Sequence, residues 1–269
     1  MIGTAGAANK ILGIGVGVPG FVDRTIGSGV FCSYFDWWRD VPIKAEFEAI
    51  LNIPVHVDND SVVATLGEKW FGVGRGVENF LYIDIGETVG MGIVIQGQFY
   101  YGASGNAGEL GHTIISKNGP LCICGNEGCV EALASGMALK KEAQTLMKKG
   151  VHTLIANSFD GSEGLRLETI IEAAQKGDKV AYQLISSTAH NIGLAISNMI
   201  NIFNPGKIIL GGPIMAAEKI ICEAVAHAIK SYSLPLSSSN IELVPSQLRE
   251  KAGILGASTL ITKQFFDFN

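Results

Sequence analysis

Hydrophobic positions along the chain fall into short unbroken runs that alternate with stretches of helical spacing. Residues 11–18 (ILGIGVGV) form a continuous apolar run closed by Pro19-Gly20, the pattern of a strand buried on both faces. Residues 43–52 place apolar side chains at helical intervals. A short strand is expected at 54–58. Asn59-Asp60-Ser61 then opens a helix to about Phe71, because Asn and Asp are good N-caps. After the glycine break Gly72–Gly76, residues 79–85 and 90–99 read as a hairpin around a glycine turn. Residues 102–131 are loop-rich and hold most of the polar chemistry. Helices are expected at about 132–149, 166–175, 178–203, 214–231 and 253–266, with a strand at 207–210. Strands alternating with helices make the class α/β. The strand at 11–18 has almost no chain before it. The first lobe is therefore expected to be N-terminally incomplete, with Gly3–Asn9 a helix remnant or an added junction. The lobes expected are 1–74 plus 252–269 (smaller) and 75–251 (larger, with the polar loop).

Composition narrows the function classes. The 269 residues are 47% hydrophobic and 17% charged, which excludes intrinsic disorder and allows a core without disulfides. A net charge of −5 gives no general footprint for nucleic acid. No run of 18 residues is free of polar interruption, so no membrane span is expected. Glycine is frequent, at 34 residues, without the period of a fibrous protein, and suggests tight turns where backbone meets phosphate or sugar. Of five cysteines, three lie within eight residues; this suits a metal in a reducing, cytoplasmic compartment better than a disulfide framework.

Those cysteines belong to His112-x9-Cys122-x-Cys124-x4-Cys129. Three thiolates and an imidazole suit tetrahedral zinc, and four protein ligands leave no open position, so the metal is expected to be structural. Gly125 and Gly128 let the chain turn between thiolates. Glu109 and Glu131 flank these ligands, and Asn59-Asp60 sits at a strand-to-helix turn, where ligands of open α/β sheets bind. Converging carboxylates and an amide suit a polyhydroxylated ligand such as a sugar. Helix capping and surface solvation account for the same residues equally well. Gly15-x-Gly17-x-x-Gly20 matches the dinucleotide fingerprint by letter, but Pro19 lies inside it and no helix follows. Gly86-x-x-x-Gly90-x-Gly92 can offer backbone N–H groups to a phosphate, and Gly211-Gly212 can let a flat ring approach. Both also read as plain turns.

The stretch GNAGELGHTIISKNGPLCICGNEGCVE, Gly105–Glu131, resembles the ROK family of bacterial sugar kinases and sugar-responsive repressors. Its pattern is A-G-E-x-G-H followed by C-x-C-G-x-x-G-C-x-E. GVGVPG at 15–20, VDNDSVVATLGE at 57–68, NPGKIILGG at 204–212 and GILGAS at 253–258 extend the resemblance over nearly the whole chain from Ile11. It implies the actin-like, RNase H-like ATPase fold of two lobes with a cleft. It also implies sugar contacts at Asn59, Asp60, Glu109, His112 and Glu131 and zinc on His112, Cys122, Cys124 and Cys129. In a kinase, Asp60 would be the base that accepts the proton of the attacked hydroxyl; ATP and magnesium would be needed, with Gly211 and Gly212 at the nucleotide. The sequence departs from ROK kinases in two ways. D-x-G-G-T is not found, and the usual G-T-G-x-G-x-G reads Gly86-Glu87-Thr88-Val89-Gly90-Met91-Gly92, with an anion where phosphate would approach.

The expectation is therefore the sugar-binding effector domain of a ROK transcriptional regulator, with DNA contacted only through an N-terminal region that these residues lack. An ATP-dependent sugar kinase is the alternative, and a zinc-stapled fold without ligand a third. Sequence upstream of Met1 would separate the first two. The resemblance implies a homo-dimer or tetramer.

Overall fold

The computed structural model describes residues 11–32, 35, 37–158 and 164–265; the remnant expected at Gly3–Asn9 lies outside them. The described residues fall into two compact units: one of those up to Gly76, in Gly92–Ala107 and from Gln247 onward, the other of those in Val77–Met91 and Gly108–Ser246.

In the first unit β1 (Ile14–Val18) lies parallel to a later strand, β5 (Val55–Asn59), with Gly17 opposite Asp58 and Val18 opposite Asn59. Val18, Val55, Val57 and Ile43 form its buried cluster. Between these strands runs a meander that the pattern gave no sign of: β2 (Phe21–Asp23), β3 (Ser28–Phe31) and β4 (Arg39–Val41), paired antiparallel. Strands of three or four residues show no period; the turn after β2 is made by Asp23 Oδ1, which accepts the Thr25 and Ile26 N–H groups. Helix α1 (Ile43–Leu51) ends at Asn52 in the left-handed conformation, φ 51° and ψ 41°. Helix α2 (Asp60–Phe71) follows β5 directly, and the C-terminal helix Lys251–Phe265 packs on α2 and β1.

The second unit is built on β6 (Phe80–Ile85), whose residues are all fully buried except Asp84, as a strand covered on both faces must be. With β9 (Lys207–Gly211) and β10 (Glu242–Pro245) it makes a sheet in the order β10-β9-β6, and β7 (Val89–Ile95) and β8 (Gln98–Phe99) continue the chain as an antiparallel pair that runs into Gly92–Ala107. β9 is parallel to both β6 and β10.

The single helix expected at 132–149 is two: α3 (Val130–Ala134) and α4 (Gly136–Lys148). Ser135 is extended between them, at φ −83° and ψ 165°, and its hydroxyl caps α4 by accepting the Ala138 N–H at 3.1 Å. The Gly136 N–H donates to Gly86 O at 2.7 Å, so the break is held by the β6–β7 turn. After α5 (Leu167–Gln175) comes α6 (Lys179–Phe203), capped by Asp178, and then α7 (Glu218–Tyr232); α6 packs against α3, α5 and α7. The polar face of α6 shows in His190, whose Nε2 lies 3.4 Å from the Tyr232 hydroxyl. Among the described residues no helix is long and apolar enough to cross a membrane.

Candidate functional site

Three of the five expected sugar contacts, Glu109, His112 and Glu131, lie on one stretch of the second unit. Glu109 precedes a turn of 3-10 helix, Leu110–His112, and the His112 N–H donates to Glu109 O at 3.1 Å. The chain then forms a hairpin. Isolated bridges join Ile114 to Cys129 and Leu121 to Glu127, and the Val130 N–H returns to Thr113 O at 2.9 Å. Gly125 and Gly128 have φ of +92° and +76°, and a side chain on Gly128 would collide with Ser116 O. Only glycine lets the strands close this tightly.

This hairpin brings His112, Cys122, Cys124 and Cys129 together, with one ligand atom from each and all four within 4.8 Å of one another. Cys122 Sγ is 3.7 Å from His112 Nδ1, and Cys124 Sγ is 3.7 Å from Cys129 Sγ. Ligands about 2.3 Å from a tetrahedral zinc stand roughly 3.8 Å apart, so the four residues fit one such ion. Burial pushes the Cys122 and Cys129 thiols up, Cys129 to about 12. Burial also raises Cys124, but the Asn126 amide and the neighbouring sulfurs outweigh it and bring that thiol to about 7. The cluster can hold a metal ion with these four side chains as its ligands.

Glu131 sits in the first turn of α3, directly after Cys129, and is only 5% exposed. Its Oε2 accepts the Val89 N–H at 3.4 Å and lies close to Gly111, where a Cβ would stand 3.4 Å away. Its Oε1 is buried without a hydrogen-bond partner. Burial pushes the Glu131 carboxyl up, and the nearby His112 opposes that shift. A buried carboxylate oxygen left without a donor is costly unless something supplies one. A cavity of about 490 Å³ opens beside the same hairpin. Glu131 is on its wall, but Leu121, Ile123, Leu133 and Met137 make that wall largely apolar.

Asn59 and Asp60 lie in the first unit, at the turn from β5 into α2. Asn59 Oδ1 caps the helix by accepting the Ser61 and Val62 N–H groups at 2.9 and 3.2 Å, and Nδ2 donates to Gly20 O at 3.0 Å. The capping role is thus met in full. Burial pushes the Asp60 carboxyl up, partly offset by the Ser61 amide, which Asp60 Oδ1 accepts at 2.8 Å.

The glycine loops are packed by their own chain. A side chain on Gly211 would strike the Tyr82 hydroxyl, and Gly212 has φ +89° with Ile85 O beside it. In the 86–92 loop Glu87 Oε1 is ion-paired with Lys140 Nζ of α4 at 2.6 Å. Sequence reasoning found Glu87 but missed Lys140, 53 residues on. It also missed the groups that hold the Asn59 turn from outside: Asp58, Tyr101 and Arg24. The burial of Asp58 was open to reading from the buried strand that ends there; the other two carry no local signal.

The family model for the ROK family matches residues 2–264. A xylose repressor of Caldicellulosiruptor bescii is 33% identical over 96% of this chain, which spans 64% of the repressor's length. A glucokinase of Halalkalibacterium halodurans is 34% identical over 95% of this chain and 78% of its own. The crystal structure of a ROK family glucokinase from Streptomyces griseus in complex with glucose and AMPPNP superposes with a TM-score of 0.83. It is 30% identical, over 96% of this chain and 84% of that one. Repressors and kinases are alike among its relatives, the fold is the α/β actin-like ATPase fold, and the chain belongs to the ROK family.

Proposed function

We propose that this chain binds a monosaccharide or a derivative of one as the effector domain of a sugar-responsive transcriptional regulator. The observation that carries the reading is Glu131: a carboxylate 5% exposed, one oxygen fixed by the Val89 amide and the other without a donor. A ring hydroxyl supplies that donor, and hydrogen bonds to charged groups contribute about 1.5–3 kcal/mol each. In this reading the sugar contacts are the ones the resemblance implies: Glu109, His112 and Glu131 around the hairpin, and Asn59 and Asp60 at the head of α2. Zinc on His112, Cys122, Cys124 and Cys129 acts as scaffold: it fixes the His112 ring and keeps Glu131 in register. With Nδ1 turned to the cluster, Nε2 of His112 is the edge for a hydroxyl. DNA contact is assigned to residues outside this sequence.

Glu87 supports regulator over kinase. Its carboxylate, held by Lys140, stands in the loop where ROK kinases usually place threonine and phosphate approaches. The kinase reading keeps one observation of its own: burial raises the Asp60 carboxyl, which makes it a better proton acceptor if a sugar hydroxyl lies against it.

Calorimetric titration of D-glucose, D-xylose and N-acetylhexosamines tests the binding. Glu131→Gln should weaken the best ligand by roughly ten- to hundred-fold with metal content unchanged. Equal affinity in both proteins would refute the assignment. A coupled ATPase assay tests the class, and turnover above about 1 per second would make the chain a kinase, with Asp60→Asn abolishing it.

A further inference from the structure

Asn59 and Asp60 are held in place by a network that begins far away in the sequence. Asp58, 4% exposed, accepts the Asn59 N–H on Oδ1 at 2.9 Å and the Tyr101 hydroxyl on Oδ2 at 3.3 Å. Both carboxylate oxygens are thus engaged, and the side chain cannot turn without breaking a bond. Tyr101 is 43 residues away on the strap that follows β8, its ring packed on Phe99 with centroids 4.4 Å apart. The Arg24 guanidinium carbon lies over that ring, 3.4 Å from its centroid, and the guanidinium bonds to the hydroxyl as well. Burial, and then the Asp58 charge, push the phenol up, so Tyr101 stays protonated and remains a donor. Arg24 also touches the strap further on, where a Cβ on Gly105 would be 3.3 Å from Nη2. A guanidinium over a ring adds fixed N–H donors that a lysine ammonium does not match.

We propose that Tyr101 and Arg24 are positioning residues for the Asn59–Asp60 turn: Arg24 holds the Tyr101 ring and the strap, Tyr101 orients the Asp58 carboxylate, and Asp58 fixes the Asn59 peptide. The consequence for sugar affinity rests on the proposed function; the consequence for the turn does not.

Tyr101→Phe removes one oxygen and keeps the ring on which Arg24 stacks. Amide hydrogen exchange of the peptide 57–63 should rise about tenfold, while 43–51 exchanges as before and metal content is unchanged. Affinity for the best-binding sugar should fall about tenfold. Arg24→Lys keeps the charge without the flat stack and should give a smaller rise. Arg24→Ala combined with Tyr101→Phe should be no worse than Tyr101→Phe alone, because both act through Asp58. Unchanged exchange at 57–63 in Tyr101→Phe overturns the proposal whether or not any sugar binds. Raised exchange with unaltered sugar affinity overturns its bearing on binding. If the wild-type protein binds none of the sugars, raised exchange still upholds the positioning of the turn, and it is the sugar reading that fails.

Discussion

The metal hairpin and the Asn59–Asp60 turn each carry residues proposed to contact sugar, and they are built in opposite ways. The hairpin has little apolar packing of its own: Leu121, Ile123 and Ile114 are all more than half exposed. Its shape comes from glycines with positive φ, and it gathers four side chains, spread over 18 positions from His112 to Cys129, that can hold one metal ion. The turn stands on a buried strand, with a capped helix behind it and hydrogen bonds to Gly20 and Asp58. With zinc on that cluster, one region would depend on a single strong centre and the other on many modest bonds. The first should therefore fail all at once and the second by degrees.

The sharpest way to break the contrast is to remove one ligand. Cys129→Ala, at a fully buried sulfur, should lose the metal entirely and disorder 112–130. Structural zinc contributes about 10–16 kcal/mol in finger peptides, and even a third of that would lower Tm by roughly 10 °C in a chain of this size. Elemental analysis with scanning calorimetry reads both effects. A purified wild-type protein with well below one zinc per chain would remove the basis of the comparison. The matching change in the turn is Asn59→Ala. It deletes the acceptor of two helix amides and the bond to Gly20, and should cost about 1–2 kcal/mol in urea unfolding with metal retained. If it cost as much as Cys129→Ala, the turn would be no less dependent on one residue than the hairpin.

The same contrast explains what was legible in the sequence. Ligand spacing is local, so Cys122, Cys124 and Cys129 announced a metal cluster without any structure. The cap was local too: Asn59 and α2 begin where the pattern put them. Long apolar elements such as β6 and α6 also stood out, because their burial is written over many consecutive positions. What did not stand out were contacts between distant positions. Lys140 meets Glu87 only because Ser135 breaks the helix that looked continuous, and Tyr101 reaches Asp58 from a segment with no period of its own. The meander of β2, β3 and β4 was lost for a related reason, since its strands are shorter than any periodicity needs.

Asp60→Asn sharpens the comparison further. Burial raises this carboxyl in the folded chain, so at neutral pH the charged form carries a penalty that the unfolded chain does not. Asparagine is neutral at every pH and lacks that penalty. The variant should resist urea better than wild type at pH 7, and the gain should vanish as pH falls below the ordinary carboxylate value near 4, where both side chains are neutral. A gain that persists at pH 3 would show that packing, not charge, is responsible.

The smallest effect is expected at the Glu87–Lys140 pair, which belongs to neither region yet bears on how the site is used. Its side chains are 38% and 20% exposed, so water screens the attraction despite the 2.6 Å separation. Glu87→Gln should therefore change stability by no more than about 1 kcal/mol. The loop itself is held by backbone bonds that the change leaves alone, Gly136 N–H to Gly86 O and Met137 N–H to Glu87 O. Because the fold is spared, any new property of the variant can be assigned to the charge. If Glu87 keeps phosphate out of the loop, Glu87→Gln leaves Lys140 without its counter-ion and should bind ADP measurably more tightly than wild type, with sugar affinity unaltered. Equal ADP affinity in the two proteins would show that the anion at this position has no part in nucleotide exclusion, and the choice between regulator and kinase would then rest on turnover alone.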